Sequence, residues 1–600
     1  MIHSSPPQAT RKYLQEWQNL CKQNFFTLDD NFKHSISYYL AKSAANLNPQ
    51  LEEFAAGLIA VEDLVIENHF RLNYPRLEKY DGIGNDTEKI CHHPNYETVG
   101  NAIYSSNMLQ RLSKFGGLQE SLAFFFLSGQ LGEAGHNCPF ACSAGIIRVL
   151  QKVDNVPHAD HYIKKLCEPS YSNSYTGAQF LTEIQGGSDV GQNATKAWQD
   201  RDGKWRMNGE KWFCSNANAD LILMTARFDQ NISGTKGLGL FLVPKYLTDK
   251  QHNFYSILRL KEKIGTNAMA SGEIEFQDAV AYPVGKLEDG FKLVMENVLH
   301  ISRLCNSICI LGMARRAFYI AKFYATHRIA FGQPILNYPL VQENLATIKA
   351  ENDAGLAMTM ATIALQDKYD TNQNQAKATA LLLRIQANLC KYFTAVHSVE
   401  HIHHSIDVLA GNGAIETFSI LPRLFRDSIV CENWEGTHNT LRMQIARDIL
   451  KFQIDKIFIN YISEELNNIS HSVIPAQAGI DKDKSTSDSF SITKPESNYE
   501  VITNLLDYLT KSLNRLSLAI DEFKAADEVL QSLQIKQIVD KMSLIFAATA
   551  LFKEAVHQCQ TNKKINKMNS LNLFMIKHFM SEVKITMDYI NLVGQIATAN

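Results

Sequence analysis

Four short stretches hold the residues that could do chemistry. The first, LTEIQGGSDVGQN at 181–193, sets Gly186 and Gly187 beside Thr182, Ser188 and Asp189. Glycine tolerates positive φ and lets a backbone approach a ligand closely, while hydroxyls and exposed N–H groups donate hydrogen bonds. Such a run suits a bound anion or a flat cofactor. The second, NGEKWFCSN at 208–216, alternates as a strand does and puts Phe213 and Ser215 on one face, where a single ligand could meet both. The third, HRIAFGQ at 327–333, closes a helical pattern with Arg328 and Phe331 just before Pro334. The fourth, NWEGTHN at 433–439, places the carboxylate of Glu435 next to the ring of Trp434, followed by Thr437 and Asn439. A positioned and partly desolvated carboxylate is suited to general-base work. Taken singly, each stretch also has a plain structural reading: a tight turn, a hairpin strand, a helix-end arginine and a solvated helix-end glutamate. One further cluster, His397, His401 and His404, lies at i, i+4 and i+7 on one helix face. A helical bundle needs no metal there and the sequence identifies no carboxylate partner, so no metal site is expected.

The elements that must position these residues follow from periodicity. Helical spacing fills about 10–166, as in Leu51, Phe54, Ala55, Leu58 and Ile59, and GHNCPF at 135–140 predicts a helix beginning near Pro139. Beyond 172 the period shortens towards two, in runs at 194–198, 204–208, 222–228, 238–243 and 272–276 separated by turn signals such as Asp202-Gly203. This is the pattern of a small antiparallel β domain. Helical periodicity returns over about 289–451 in long segments with short breaks at FGQP and AGNG, which predicts a bundle of antiparallel neighbours. The division expected is therefore a helical domain (1–172), a middle β domain (173–288), a helical bundle (289–455), a linker or insertion (456–498) and a helical C-terminal extension (499–600). Residues 470–498, rich in Ser, Asp, Lys and Pro, have little to bury and should be mobile.

Composition narrows the function classes. With 59 Lys+Arg against 62 Asp+Glu in 600 residues, there is no global electrostatic case for nucleic acid or an anionic membrane. The 11 cysteines are scattered, and Cys138 and Cys142 lack a partner pair for a zinc site, so they read as reduced thiols. No apolar core of signal-peptide length opens the chain and no apolar run is long enough to span a bilayer, so a cytoplasmic protein is expected.

Together the four stretches resemble, in order and at matching distances, the signature segments of the acyl-CoA dehydrogenase superfamily over roughly 10–450. HHPNY, TEIQGGSDVGQNAT, KWFCSN, KIGTNAMASGEIEFQDA and NWEGTHN are similar to its AidB-like branch, whose members carry an extra helical C-terminal domain. The resemblance implies a multidomain α+β fold with a helical N-terminal domain, a small antiparallel β-barrel or sandwich, a helical bundle and a helical extension. It also implies non-covalent FAD and a homotetramer built as a dimer of dimers. By the same resemblance Leu181, Thr182, Gly187 and Ser188 cradle the cofactor, Phe213 covers the flavin ring and Ser215 bonds flavin N5. Arg328 would reach the pyrophosphate of a flavin held mainly by a neighbouring subunit, with Phe331 beside the adenine part. Gly411 and Gly413 would approach the same cofactor, with Asp407 where many members carry glutamine, and Thr437 and Asn439 would touch it as well. Glu435 matches the catalytic base, and Ser188, Trp434 and Arg303 fall on the substrate side. Some relatives place the base immediately before an arginine, but here Ser302 precedes Arg303 and cannot serve.

The activity implied is α,β-dehydrogenation of a fatty acyl-CoA to trans-2-enoyl-CoA, with electrons passed to an electron-transfer flavoprotein. The alternative is a DNA-associated flavoprotein of the alkylation-damage response with weak dehydrogenase activity. Against DNA, residues 451–600 carry 16 Lys+Arg and 17 Asp+Glu. Only Lys563, Lys564 and Lys567 cluster there, which reads as a solvated helix end.

Overall fold

Apolar residues at helical spacing become helices over most of the chain, and the period-two stretch becomes one sheet. The computed structural model describes residues 6–247, 251–372, 376–473, 498–562, 564–580 and 582–599. They form two compact units, one of residues 49–312 with 423–437 and one of 1–48 with 313–422 and 438–600. Residues 1–48 belong with the bundle, while the N-terminal helices from 49 onwards belong with the sheet.

In the first unit a hairpin of β1 (Arg76–Tyr80) and β2 (Asp86–Cys91) precedes a seven-stranded sheet. Its strands are β3 (Gly177–Phe180), β4 (Lys196–Gln199), β5 (Trp205–Ser215), β6 (Leu221–Arg227), β7 (Leu238–Pro244), β8 (Tyr255–Leu260) and β9 (Ser271–Pro283). The order is β3-β6-β4-β5-β9-β7, with β8 added on β9, and β7 pairs back to β6 so that the strands close a ring. Most pairings are antiparallel, but β3 and β4 run parallel to β6. Phe180, Met207, Cys214, Met224, Phe241, Ile274 and Phe276 fill the interior. Strand β7 is buried at every position, which explains why it reads as a continuous apolar run instead of alternating.

The helix carrying GHNCPF begins at Ala134, five residues before the expected start at Pro139. Proline has no N–H, so it cannot bond the carbonyl of Gly135 one turn back. The Tyr96 hydroxyl takes that carbonyl at 2.6 Å, while Glu133 caps the helix by accepting the Gly135 N–H at 2.8 Å. The His136 ring meets the Tyr96 carbonyl at 2.8 Å. HHPNY is thus the brace that lets a proline sit inside this helix.

In the second unit one apolar core runs through the helices Lys377–Val408, His438–Phe452, Ile454–Val473, Asn498–Ala525, Glu528–Asn562 and Asn566–Phe579. Leu389, Ile445, Phe458, Leu509, Met542, Phe546 and Leu571 all belong to it. The C-terminal helices therefore complete the bundle's core and are not a separate appendage. Residues 456–473, expected as the start of a linker, are helical and bury Phe458, Ile462, Leu466 and Ile469. The rest of that expected linker, 474–497, lies outside the described residues. Polar ties cross the same core: Asp353 pairs with Arg315 at 2.5 Å and accepts from Asn31 at 2.7 Å and Ser570 at 2.8 Å.

The expected basic cluster does not form a solvated patch. Lys567 is fully buried, paired with Glu554 and bonded to Ser35 at 2.9 Å. Lys564 pairs with Asp30 at 2.9 Å, and Lys563 lies outside the described residues. Among the described residues no helix is long and apolar enough to cross a membrane.

Candidate active site

Glu435 stands just past the C-terminus of the helix Leu421–Asn433, in the left-handed region with φ +58°, followed by Gly436 at φ +106°. A non-glycine residue held there is strained by about 1–3 kcal/mol, so its surroundings must over-determine it. They do so along the whole helix. Arg423 donates to the carbonyls of Leu131 and Gly132 at the end of the helix Leu118–Leu131. Asp427 accepts the N–H of Thr266 at 2.5 Å. This approach requires Gly265, since a Cβ there would lie 2.3 Å from the Arg426 carbonyl oxygen, and it explains the KIGTN segment.

Two residues one turn apart on the helix His300–His327 complete the hold. Arg303, buried, donates Nε to the Glu435 carbonyl oxygen at 3.1 Å. Asn306 donates to the Cys431 carbonyl at 3.1 Å and accepts from the indole of Trp434. Six π-helical residues, Val294–Leu299, immediately precede this helix, an irregularity that recurs at functional sites. Sequence reasoning singled out Arg303 for the substrate side; the structure shows it holding the backbone of Glu435. Asn306 carried no sequence signal.

The Glu435 Oε2 atom is buried. Its carboxylate acts on two thiols of the neighbouring helices. Cys142 is held well above the ordinary thiol range by its hydrogen bond with Cys138, by burial and then by the charges of Cys138 and Glu435. Burial, then Cys309 and Glu435, push Cys305 up in the same way. The carboxylate is therefore within electrostatic reach of two buried thiols.

The glycine turn lies on the sheet of the same unit. Gly186 has φ +118°, and a Cβ on Gly187 would fall 2.4 Å from the Thr182 hydroxyl, so glycine keeps that hydroxyl against the backbone. The Leu181 carbonyl accepts from Asn193 at 2.7 Å, and Ser188 is exposed. The Thr182 carbonyl accepts the Trp212 N–H at 3.0 Å, which joins the turn to β5. A second joint was not read from sequence: Glu183 and Lys211, both buried, pair at 2.7 Å. Glu183 also accepts the Ala194 N–H at 2.6 Å. Burial works to raise the Glu183 carboxyl, but Lys211 and these donors outweigh it and hold it below its ordinary value. Both residues stand inside the two quoted motifs, but 28 positions of separation hide the pair.

In β5 the register with β9 shifts between Lys211 and Cys214, a bulge that leaves both of these inward. Phe213 and Ser215 consequently share the outward side, and Phe213 is 40 % exposed. Lys261 covers the neighbouring Trp212 ring at 3.5 Å. Thr437 is exposed at the end of the same unit.

Arg328, Phe331, Gly411, Gly413 and Asn439 belong to the other unit. Arg328 is exposed and, among the described residues, forms no ion pair. Phe331 has φ +49° and is 97 % exposed at the tip of a tight hairpin, where the Tyr338 hydroxyl donates to the carbonyls of Ala330 and Phe331. Gly411 has open space where a Cβ would be, whereas Gly413 is required by the fold, since a Cβ would lie 2.3 Å from the Ile406 carbonyl. Asn439 is exposed and accepts from Arg442 at 2.7 Å.

Comparison with known proteins gives three adjoining matches: the AidB N-terminal domain at 16–173, the acyl-CoA dehydrogenase middle domain at 178–279 and the acyl-CoA dehydrogenase C-terminal domain at 288–450. AidB of Escherichia coli (strain K12) is 30 % identical over 406 residues, 65 % of this chain and 72 % of that protein. The chain belongs to the acyl-CoA dehydrogenase family. It resembles the AidB-like members most visibly in its first 173 residues, and family membership makes it an FAD-dependent oxidoreductase. Acyl-CoA dehydrogenase family member 11 of Caenorhabditis elegans is 28 % identical over 398 residues, 63 % of this chain and 62 % of that protein. The fold is shared with the crystal structure of Caenorhabditis elegans ACDH-11 in complex with C11-CoA. The TM-score is 0.81 at 21 % identity, over 94 % of this chain and 93 % of that one.

The residues present fit FAD. In the one unit Phe213 and in the other Phe331 each leaves a large aromatic ring exposed, as a residue that meets a flat ligand does. The glycine turn of the first unit offers a hydroxyl and backbone N–H groups, and Arg328 of the second, which forms no ion pair among the described residues, has the donors that suit a diphosphate.

Proposed function

We propose that Glu435 is the base that takes the α-proton of an acyl-CoA thioester. The observation that carries this reading is the fixation of Glu435 in a strained left-handed turn by Arg303 and Asn306, with its Oε2 atom buried. A weak carbon acid is deprotonated only by a base that is held at the carbon and partly desolvated. FAD, when bound, supplies the two-electron oxidation that leaves trans-2-enoyl-CoA.

Leu181, Thr182, Gly187, Ser188, Phe213, Ser215, Thr437 and Asn439 are the residues that hold the cofactor, and Arg328, Phe331, Gly411 and Gly413 serve the flavin held mainly by a neighbouring subunit. The exposure of Phe331 in a strained turn supports its service to the flavin of a neighbouring subunit, within a homotetramer. Trp434 and the helix Ala134–Leu150 wall the acyl group beside Glu435. Electrons leave to an electron-transfer flavoprotein in the cytoplasm.

The C11-CoA complex of the Caenorhabditis elegans protein makes acyl chains near that length the first to try. The test is an anaerobic titration of the purified yellow protein with saturated acyl-CoAs of increasing length. One length class should bleach the flavin; bound flavin that no acyl-CoA reduces would contradict the reading.

A further inference from the structure

The histidine-rich face at 397–404 has no part in dehydrogenation. On the helix Lys377–Val408, His397 and His401 meet Glu351 of the helix Pro339–Thr371, while His404 is exposed and takes no part. Glu351 Oε2 lies 3.3 Å from His397 Nδ1 and 2.7 Å from His401 Nε2. The other carboxylate oxygen lies 2.9 Å from His578 Nε2, on the helix Asn566–Phe579. Three helices thus set three imidazoles around one carboxylate, and among them one donor atom each from Glu351, His397 and His401 lie within 4.8 Å of one another. Phe393 packs on the His397 ring at 4.3 Å and Phe574 on the His578 ring at 4.6 Å, so both rings have apolar walls that fix them. Glu351 and His401 are buried, whereas His397 and His578 keep 17 % and 18 % of their side chains exposed, which leaves an entry from solvent.

Burial acts to raise the Glu351 carboxyl, but the three imidazoles outweigh it and hold it well below the usual carboxylate range. His401 is held below its ordinary value by burial, which outweighs Glu351, so it is neutral at pH 7. Glu400 adds further negative potential at His401. Neutral imidazole is the form that ligates metal. The His401 Nδ1 atom is also buried with no hydrogen-bond partner among the described residues, so the present hydrogen bonds do not satisfy the set.

We propose that Glu351, His397, His401 and His578 bind a first-row divalent cation, for which Zn²⁺ is the best match, and that this ion fastens the 566–579 helix to the bundle. Nitrogen and carboxylate donors about 2.0–2.2 Å from a tetrahedral Zn²⁺ are separated by about 3.3 Å from each other. His397 Nδ1 and Glu351 Oε2 already have that separation at 3.3 Å, His401 Nε2 at 2.7 Å must withdraw slightly from Glu351, and the His578 ring must move towards the other three donors.

The test uses the full-length, FAD-loaded protein after chelator treatment, titrated with Zn²⁺ alone against a chromophoric zinc indicator, with thermal unfolding followed in parallel. One Zn²⁺ per chain and a rise in Tm are expected, because an ion that binds only the folded state stabilises it. His578→Gln should weaken binding by at least about tenfold and remove the rise in Tm, while His404→Gln should change neither. No stoichiometric uptake by the wild type would overturn the proposal, as would binding that survives His578→Gln and is lost in His404→Gln. If His578→Gln does not fold, Co²⁺ in the wild type decides. Intense visible d–d absorption beyond the flavin bands supports a four-coordinate nitrogen-rich site, and the weak absorption of a six-coordinate ion overturns it.

Discussion

Arg303 donates its Nε to the carbonyl oxygen of Glu435 at 3.1 Å, so a buried guanidinium on one helix sets the backbone of the proposed base at the end of another. This makes Arg303 a positioning residue. Lysine lacks the planar fork and cannot reproduce that donor. Arg303→Lys should therefore retain FAD, with an unchanged ratio of flavin to protein absorbance. Its flavin should be reduced by acyl-CoA on the order of 100-fold more slowly, the usual consequence of a misplacement near 1 Å. Stopped-flow reduction measures this; an unchanged rate would remove Arg303 from the account.

Lys211 and Glu183 lock the glycine turn to β5 as a buried pair. Lys211→Met leaves an uncompensated buried carboxylate and should cost about 3–5 kcal/mol. Adding Glu183→Gln should restore a large part of that, as read by urea unfolding. If the double variant is no more stable than the single one, the pair does not carry the joint.

Phe331 is exposed and strained, so its presence answers to a ligand and not to folding. Phe331→Gly relieves a positive φ and should leave stability unchanged or raise it by up to about 1 kcal/mol. The same variant should lose FAD on dilution faster than the wild type. Fast FAD loss accompanied by a drop in Tm of the apoprotein would assign Phe331 to the fold instead.

Glu133 caps the helix Ala134–Leu150 and pairs with His69 at 3.4 Å. Burial would raise its carboxyl, but His69 and then His136 and Arg423 outweigh this and hold it at about 2. The folded value lies below the ordinary 4.5, so the stability Glu133 contributes is fully present above pH 4.5 and lost as pH falls through 2. The shift corresponds to roughly 3 kcal/mol. The stability difference between the wild type and Glu133→Gln should shrink across that window; a difference that is constant with pH would contradict it.

LTEIQGGSD, KWFCSN and NWEGTHN were readable because each keeps its reactive residues within a few positions. Period two also located the sheet. It could not show that β3 and β4 run parallel to β6, because pairing direction is a property of partners and not of one strand. Pro139 marks a helix start by local rules alone, because the Tyr96 hydroxyl that rescues the Gly135 carbonyl lies 39 positions away. Residues 456–473 were grouped with a polar linker although Phe458, Ile462, Leu466 and Ile469 mark a helix face. Lys567 was read as solvated because its partners, Glu554 and Ser35, are remote in sequence. The three-histidine pattern likewise lacked Glu351 and His578, which come from two other helices.

The central claim is that Glu435 takes the α-proton, and it is tested most directly by Glu435→Gln. Anaerobic addition of the acyl-CoA that bleaches the wild-type flavin should leave this variant yellow, with FAD content and Tm unchanged and with the acyl-CoA still bound. Bleaching at the wild-type rate would show that another group removes the proton.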